Sequence, residues 1–264
     1  MRIDQAHALV TGASRGLGAR VARRLADEGA VVTLVARSAD QLRALADEID
    51  GHVLVADLAD PAARDGLVAR AAAQAGPPVT ILVNNAGIDM AGHLPDMTPD
   101  DLQRLIAVNV TAPAELARQA IPGMLGAGGG SIVNVSSLAG VGVFPGLAAY
   151  SATKAALTHL SAGLRADLRG LPIAVTTVET GLIVPTDMAE SVNSYPPTRA
   201  SFHRFRHLLP DTDADDLADA IAKAVAGGRR HVRRPVRAQG FSRLVEMPRR
   251  ITEWMLAGVP PRVG

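Results

Sequence analysis

Short apolar runs alternate along the chain with longer segments in which apolar residues recur at helical spacing. The runs are rich in β-branched residues and predict seven strands: HALVTG at 7–12, VVTLVAR at 31–37, HVLVAD at 52–57, VTILVNN at 79–85, SIVNVSS at 131–137, PIAVTTVE at 172–179 and RHVRRP at 230–235. Helical spacing predicts helices over 16–28, 39–49, 61–75, 98–125, 149–169 and 213–226. Because apolar strands separated by helices imply a sheet covered on both faces, the pattern predicts an α/β fold with a doubly wound parallel sheet of about seven strands.

The chain shows no internal repeat and no linker, so we expect a single domain over 1–264. After Gly181 the alternation breaks, and residues 187–209 are rich in proline, threonine and aromatic residues. We predict that this segment is a substrate lid. Its aromatic side chains are candidates to line an apolar pocket: Tyr195, Phe202 and Phe205.

Two stretches of basic residues have two interpretations each. In the lid they are His203, Arg204, Arg206 and His207, which either meet an anionic group of a substrate or form a solvated helix face. The solvated face is favoured. The segment 229–264 is basic and then amphipathic, and a subunit contact or lid support is favoured there over peripheral attachment to an anionic membrane.

Composition limits the classes of function. A net charge of +1 and a hydrophobic fraction of 48% exclude a nucleic-acid-binding polycation and a disordered chain. The chain has no cysteine, which excludes a thiol nucleophile and thiolate metal ligands, and its seven histidines show no ligand spacing. We therefore expect no metal site. No apolar run approaches the ~20 residues of a membrane span, and the start carries no secretory pattern, so a cytoplasmic enzyme is expected.

A strand, a glycine-rich turn and a helix follow one another in LVTGASRGLGARVARRL at 9–25. Gly12, Gly16 and Gly18 allow a tight turn, a close approach of the backbone to a pyrophosphate, and close packing of helix on strand. The helix N-terminus presents unpaired N–H groups to such phosphates. Because the motif heads a βαβ unit, a dinucleotide site is favoured over a purely structural turn.

The end of the second strand distinguishes NAD from NADP, because an acidic residue there binds the ribose hydroxyls whereas arginine accommodates a 2′-phosphate. This strand ends in Ala36 and Arg37, and Arg15 lies in the glycine turn. Two guanidiniums can bind one phosphate through charge-assisted hydrogen bonds. The sequence therefore predicts NADP(H) over NAD(H), against the alternative that both arginines are solvated surface groups.

Tyr150 and Lys154 stand four residues apart in a predicted helix and so share one face. Lys154 is one of two lysines among 27 basic residues. A free tyrosine has a pKa of about 10, and we expect the ammonium to lower that pKa toward neutrality. The pair would then serve as acid and base. The alternative is a partly buried tyrosine beside a lysine that extends to solvent.

Several motifs occur in one order along the chain: TGASRGLG at 11–18, NNAG at 84–87, Asn109, NVSSLAG at 134–140, and Tyr150 with Lys154. In these motifs the chain resembles the short-chain dehydrogenase/reductase family, over about residues 5 to 235. Its length and glycine spacing resemble the shorter, oxidoreductase branch of that family. The resemblance implies a Rossmann-like fold and hydride transfer with a nicotinamide cofactor.

The resemblance also implies roles for the motif residues. Ser137, thirteen residues before Tyr150, would orient and polarise the substrate oxygen, while Ser136 would support the turn. Lys154 would hold the nicotinamide ribose, and Asn109 would hold a water that connects Lys154 to solvent. A buried asparagine at a helix kink is the alternative for Asn109.

Asp57 is expected to accept a hydrogen bond from the adenine amine, with a helix N-cap as its alternative. After the sixth strand the family has a proline–glycine pair, whereas this chain has Thr180 before Gly181. Thr186 is expected to contact the cofactor although this part of the motif differs. Thr186 also comes one residue late for the family's cofactor-binding threonine. The residues expected to bind the cofactor are Gly12, Arg15, Gly16, Leu17, Arg37, Asp57, Leu58, Asn84, Ala86, Gly87, Tyr150, Lys154 and Thr186.

The predicted function is reduction of a ketone or aldehyde, or oxidation of the corresponding alcohol, with NADP(H). A catalytically silent dinucleotide sensor and an isomerase or dehydratase of the same fold are the alternatives. Ser137, Tyr150 and Lys154 argue against the sensor, which has no need of them. The expected partners are a small carbonyl or alcohol substrate and further copies of this chain, in a dimer or tetramer formed through helices near 98–125 and 149–169.

Overall fold

The computed structural model describes residues 1–184, 186, 194–205, 210–238, 240 and 247. Within these residues, seven strands form one parallel sheet: β1 (His7–Thr11), β2 (Val31–Ala36), β3 (His52–Val55), β4 (Val79–Asn84), β5 (Gly130–Val135), β6 (Ile173–Thr180) and β9 (His231–Arg234). Two short strands, β7 (Ile183–Val184) and β8 (Thr212–Asp213), pair with each other in parallel. The predicted doubly wound parallel sheet is confirmed.

The order of the strands, β3-β2-β1-β4-β5-β6-β9, reverses between β1 and β4. Val10 of β1 lies opposite Leu34 of β2 on one side and Val83 of β4 on the other. In open α/β sheets, ligands bind outside the carboxyl ends of the strands at such a reversal. The strands that meet there end at Thr11 and Asn84, so the glycine turn and the NNAG segment adjoin at this point.

Helices connect the strands and cover both faces of the sheet. On one face Leu25, Leu42 and Ile221 belong to one apolar cluster, and on the other Leu67 and Leu116 belong to a second. All five side chains are fully buried, as expected for the apolar stripe of a helix against a sheet. The helices are α1 (Gly16–Asp27), α2 (Ala39–Ile49), α3 (Pro61–Arg64), α4 (Leu67–Ala75), α5 (Pro99–Ile106), α6 (Ala112–Gly126), α7 (Ala148–Asp167), α8 (Pro196–Phe205) and α9 (Ala214–Gly227).

Two helical segments differ in detail from the prediction. The segment 61–75 divides into α3 and α4, because Gly66 adopts φ 60° in the left-handed region that ends a helix. The segment 98–125 is continuous but contains a π-helical turn, Ala107–Thr111, in which the N–H of Ala112 donates to the carbonyl of Ala107. This wider turn contains Asn109.

The predicted lid is described in part. The Phe202 ring of α8 stacks on Phe144 with centroids 4.9 Å apart, which joins α8 to the main body of the fold. His203 and Arg204 are exposed, in agreement with the solvated face. The remaining lid positions 187–193 and 206–209, and the tail at 239, 241–246 and 248–264, lie outside the described residues. Over the part of the chain that is described, no helix is long and apolar enough to cross a membrane.

A buried ion pair joins the edge strand β9 to β6. The Arg233 Nε donates to the Glu179 Oε2 at 2.6 Å, and the two side chains are 9% and 4% exposed. A buried charge is tolerated only while it is paired, because its desolvation is not otherwise offset.

We expect Glu179→Ala to lower the free energy of unfolding by about 3–5 kcal/mol, because Arg233 would stay buried without its carboxylate. Denaturant unfolding followed by circular dichroism measures the loss. The double variant Glu179→Leu/Arg233→Met should recover most of it, since no charge then remains. A single variant that unfolds at the wild-type midpoint would contradict the prediction.

Candidate active site

The glycine turn is built so closely against the NNAG segment that two of its positions have no room for a side chain. A Cβ on Gly12, where φ is +65°, would lie 2.8 Å from the Ala86 Cα. A Cβ on Gly18 would lie 2.2 Å from the carbonyl oxygen of Gly12. These contacts hold the turn tightly against the NNAG segment, while Gly12 and Gly16 line the crevice at the start of α1, where a pyrophosphate fits.

The two asparagines of the NNAG segment have different surroundings. Asn85 lines the crevice, and its amide donates to the carbonyls of Thr11 and Gly12 at 3.0 and 3.2 Å. Asn84, which the sequence favoured for the cofactor, is 2% exposed, and its amide donates to Asn134 at 2.8 Å. Successive side chains of a strand point to opposite faces of the sheet, and at the end of β4 this alternation directs the Asn84 side chain into the protein. Asn84 therefore does not line the crevice.

A single crevice of about 770 Å³ runs along the carboxyl edge of the sheet. Its lining contains twelve of the thirteen residues that were expected to bind the cofactor, all except Asn84, together with Ser137. The structure thus brings the glycine turn and the tyrosine–lysine pair into one cavity. The expected residues that line it are Gly12, Arg15, Gly16, Leu17, Arg37, Asp57, Leu58, Ala86, Gly87, Ser137, Tyr150, Lys154 and Thr186.

Arginines surround one end of the crevice. Arg15 and Arg37 line it and are exposed at its mouth, where they can meet a phosphate group. Asp57 does not cap a helix, because Asp60 is the residue that caps α3. Instead Asp57 accepts from the Ala59 N–H at 3.0 Å and from Arg104 at 2.8 Å.

Arg104 is a lining residue that sequence reasoning missed. It reaches Asp57 from α5, a separation of 47 residues along the chain. Although partial burial alone would raise the Asp57 pKa, hydrogen bonds from Ala59 and Arg104 and the charge of Arg37 lower it overall. The Asp57 carboxylate is therefore ionised and held in one orientation by its two donors. The spacing of Asp57 and Arg104 in the sequence does not predict that they pair.

Thr186 lies beside the glycine turn despite its late position in the sequence. Its methyl carbon is 3.6 Å from where a Cβ on Gly16 would stand, and its hydroxyl donates to the carbonyl of Ile183 at 2.7 Å. Thr180, in the place of the family's proline, continues β6 and pairs with Arg234 of β9. The departure from the motif therefore leaves the threonine at the crevice.

Tyr150 and Ser137 meet at the other end of the crevice. Burial raises the pKa of the Tyr150 phenol, a hydrogen bond with Ser137 opposes that rise, and the carboxylate of Asp89 adds to it. The expectation that Lys154 would bring this pKa toward neutrality is wrong for this structure, because desolvation of the phenolate dominates. Tyr150 is protonated throughout the neutral range, and this is the form that donates a proton.

Lys154 lies under the NNAG segment. Its ammonium donates to the Val135 carbonyl at 3.0 Å and lies 5.7 Å from the centroid of the Tyr150 ring. A Cβ on Gly87 would be 3.1 Å from the Nζ, so a glycine leaves room for it. Burial lowers the pKa of Lys154 to about 8, and Asp89 opposes that shift. The side chain is 3% exposed, so it is not a lysine that extends to solvent.

Asn109 clamps the segment that follows β4. Its Oδ1 accepts from the Ile88 N–H at 2.9 Å, and its Nδ2 donates to the Ile88 carbonyl at 2.9 Å and to Thr153 at 3.0 Å. Thr153 in turn donates to the Tyr150 carbonyl at 2.7 Å. The buried amide thus joins the π-helical turn, the segment after β4 and helix α7, as expected for the structural alternative of a buried asparagine at an irregular helix.

Ser136 has the supporting position that was expected of it. Its hydroxyl bonds to the Lys154 carbonyl at 2.9 Å and to Thr158 at 2.7 Å, and so ties β5 to α7. Ser137, the next residue, accepts from the Ala139 N–H at 3.1 Å and faces the crevice. Among the described residues, no group of three or more histidine, aspartate or glutamate side chains is arranged to hold a metal ion.

Comparison with known proteins agrees with this arrangement. The sequence model of the family described as short chain dehydrogenase matches residues 6–196. The chain belongs to the short-chain dehydrogenase/reductase family. The match extends from β1 to the first residue of α8 and includes the glycine turn, Asn109, Ser137, Tyr150 and Lys154.

Relatives in this family carry different names. The chain is 35% identical over 186 residues to the NADP-dependent 3-hydroxy acid dehydrogenase YdfG of Salmonella typhimurium, covering 69% of this chain and 74% of the relative. It is also 35% identical over 230 residues to glycine betaine reductase ATRR of Emericella nidulans, covering 83% of this chain. The chain spans only 17% of the length of that second relative.

Solved short-chain dehydrogenase structures share the fold. A short chain dehydrogenase from Burkholderia cenocepacia in complex with NADP matches with a TM-score of 0.76 and 34% identity, over 88% of this chain and 97% of the other. A family member from Burkholderia phymatum in complex with NAD matches with a TM-score of 0.79 at 24% identity, over the whole of both chains. The two solved structures thus share the fold of this chain and were crystallised with different dinucleotides.

We expect Asn109→Leu to lower the free energy of unfolding by about 1–3 kcal/mol, because the Ile88 backbone groups and the Thr153 hydroxyl would lose their buried partner. Denaturant unfolding measures the change. The matched control is Gln103→Leu on the exposed face of α5, where the change should stay within about 0.5 kcal/mol. Equal effects of the two substitutions would contradict the clamp.

Proposed function

We propose that this member of the short-chain dehydrogenase/reductase family interconverts a carbonyl compound and its alcohol with NADP(H). The observation that carries the proposal is the convergence of Ser137, Tyr150 and Lys154 in the same crevice as the glycine turn. A sensor needs the turn but has no use for a buried proton donor beside it. The hydroxy acid dehydrogenase among the relatives supports the same reaction class.

The residues present fit a dinucleotide. The backbone at Gly12 and Gly16, which lines the crevice at the start of α1, would hold the pyrophosphate, and Lys154 would hold the ribose next to the nicotinamide. When bound, NADP(H) supplies or accepts the hydride. Arg15 and Arg37 would bind the 2′-phosphate, which is the basis for preferring NADP(H) to NAD(H).

Tyr150 acts as the acid in the reductive direction. Burial keeps its phenol protonated, so it can donate to an oxygen on which negative charge develops. Ser137 already shares a hydrogen bond with Tyr150, and the same hydroxyl would orient and polarise the substrate oxygen. Lys154 stabilises the phenolate that forms as Tyr150 gives up its proton, and in the oxidative direction this phenolate accepts the proton of the alcohol.

Lys154 and Asn109 restore the proton after turnover. Lys154 lies 5.7 Å from the Tyr150 ring centroid, and the position of a Cβ on Gly87 would be 3.1 Å from its Nζ and 3.4 Å from the Asn109 Oδ1. The two polar groups therefore lie close to the same point beside Gly87. A water held there would link Lys154 to solvent, which is the role proposed for Asn109.

Replacing Tyr150 with phenylalanine removes the proton donor and little else. We expect turnover of a ketone or aldehyde panel with NADPH to fall by about 10²–10⁴-fold, the usual contribution of a positioned acid. NADPH binding, followed by its fluorescence, should persist, because the glycine turn and Lys154 are untouched. Turnover that survives the substitution would refute Tyr150 as the acid, and bound NADPH without turnover in either protein would support the sensor.

Replacing Arg37 with aspartate should reverse the cofactor preference. Loss of a charge-assisted contact is expected to lower the affinity for NADPH about ten- to hundredfold. The new carboxylate can bind the ribose hydroxyls of NADH. The matched control is Arg43→Asp, the same charge change on the outer face of α2, where Arg43 is 66% exposed and pairs with Asp40. A ratio of NADPH to NADH affinity that changes equally in both variants would show that Arg37 is only a surface charge.

A further inference from the structure

Apolar side chains surround the tyrosine at the catalytic end of the crevice. Phe144, Leu147 and Phe202 line the crevice together with Tyr150. Phe144 and Leu147 belong to the same packed apolar cluster as Tyr150, and Phe202 packs against that cluster. The group attached to a carbonyl carbon beside the Tyr150 phenol therefore meets carbon surface.

Phe202 is the part of this wall that α8 contributes. Its ring stacks on the ring of Phe144, with the centroids 4.9 Å apart and the planes 4° from parallel. Phe144 is itself 8% exposed and precedes Tyr150 by six residues, in the turn that leads into α7. One face of the Phe202 ring is thus covered by a buried neighbour, so the ring closes the pocket at a fixed place.

A hydrogen bond outside the crevice sets the position of α8. The Thr198 hydroxyl donates to the Pro145 carbonyl at 2.7 Å, and Thr198 is 0% exposed. Thr198 is not among the described residues that line the crevice. Because Thr198 and Phe202 stand four residues apart in one helix, they share a face of α8. The same face therefore carries the buried hydrogen bond and the ring that forms the wall.

Gly146 leaves the room that this contact needs. A Cβ on Gly146, where φ is +81°, would lie 2.5 Å from the Tyr195 ring and 2.6 Å from the Thr198 hydroxyl. On its other side, the Gly146 carbonyl accepts from the Gly92 N–H at 2.9 Å. The helix α8 thus packs directly on the backbone of the turn that leads into α7, the helix that carries Tyr150.

We propose that Phe202 is a specificity-determining residue that limits the length of the apolar group on the carbonyl substrate. Thr198 is a positioning residue, which holds Phe202 in place from outside the crevice. The inference rests on the proposed reductase function. The carbonyl oxygen meets Tyr150 and Ser137, and the apolar group extends toward the Phe144–Phe202 stack. A longer group strikes the Phe202 ring and keeps the carbonyl away from the phenol.

A series of unbranched methyl ketones, from 2-butanone to 2-nonanone, tests the proposal. The values of kcat/KM with NADPH are compared for wild type, Phe202→Ala, Thr198→Val and Thr198→Ser. The valine keeps the size of the threonine and removes the hydroxyl, whereas the serine keeps the hydroxyl. The matched control is His203→Ala, because His203 is exposed on the same helix and is not among the described lining residues.

In wild type we expect kcat/KM to reach a maximum at one chain length and to fall for longer ketones. In Phe202→Ala the next longer ketone should gain about tenfold or more relative to the wild-type optimum, as is usual for one methylene in an apolar pocket. Thr198→Val should shift the optimum in the same direction, while Thr198→Ser and His203→Ala keep the wild-type profile. A profile that Phe202→Ala leaves unchanged would overturn the wall. An equal fall for all ketones in Thr198→Val would overturn the positioning role.

Direct binding separates failure of this proposal from failure of the reductase function. Ligand-observed NMR measures the affinity of each ketone for each protein with NADP⁺ present. A gain of about tenfold for the longer ketones over 2-butanone, in Phe202→Ala and Thr198→Val only, supports the wall even where no ketone is reduced. Reduction and binding whose dependence on chain length is the same in all five proteins would leave the reductase intact and overturn the wall.

Discussion

The hydrogen bonds of one buried amide, Asn109, hold the catalytic part of this protein together. The loop after β4 has no regular structure of its own, and its backbone would be free to move without a partner for Ile88. The amide satisfies both backbone groups of Ile88 and continues through Thr153 to Tyr150. Because the loop carries Gly87, which packs against the Lys154 ammonium, the geometry of that contact depends on this clamp. The π-helical turn directs the asparagine toward the loop, and such turns often mark functional sites.

Burial determines the protonation states that the chemistry starts from. Tyr150 is 6% exposed and Lys154 is 3% exposed, and desolvation favours the neutral form of each side chain. A neutral phenol is the proton donor that the proposed carbonyl reduction requires. Lys154 has a pKa of about 8, which keeps it mostly charged at neutral pH, and Asp89 contributes to that charge. The carboxylate of Asp89 raises the pKa of both the Tyr150 phenol and the Lys154 ammonium.

Much of the fold and the central residues of the site could be predicted from the sequence because they depend on local patterns. Apolar strands between helices imply a doubly wound sheet, and the glycine turn and the Tyr150–Lys154 spacing mark its carboxyl edge. Long-range contacts carry no such pattern. The pairing of Arg104 with Asp57 joins positions 47 residues apart, and the choice between Asn84 and Asn85 depends on where β4 ends. The predicted direction of the Tyr150 pKa shift was wrong, because helical spacing indicates only that two side chains share a face. It does not indicate how completely those side chains are buried.

Hydride transfer between the nicotinamide and a carbonyl carbon is the reaction that we propose for this crevice. NADPH carrying deuterium at C4 of the nicotinamide, supplied in each stereochemical form in turn, tests this reaction with the ketone that is turned over best. We expect deuterium from one of the two forms to appear at the alcohol carbon of the product, where mass spectrometry and NMR detect it. Product without deuterium at that carbon from either form would contradict it, because an isomerase or dehydratase of the same fold would change the substrate without net transfer from the cofactor.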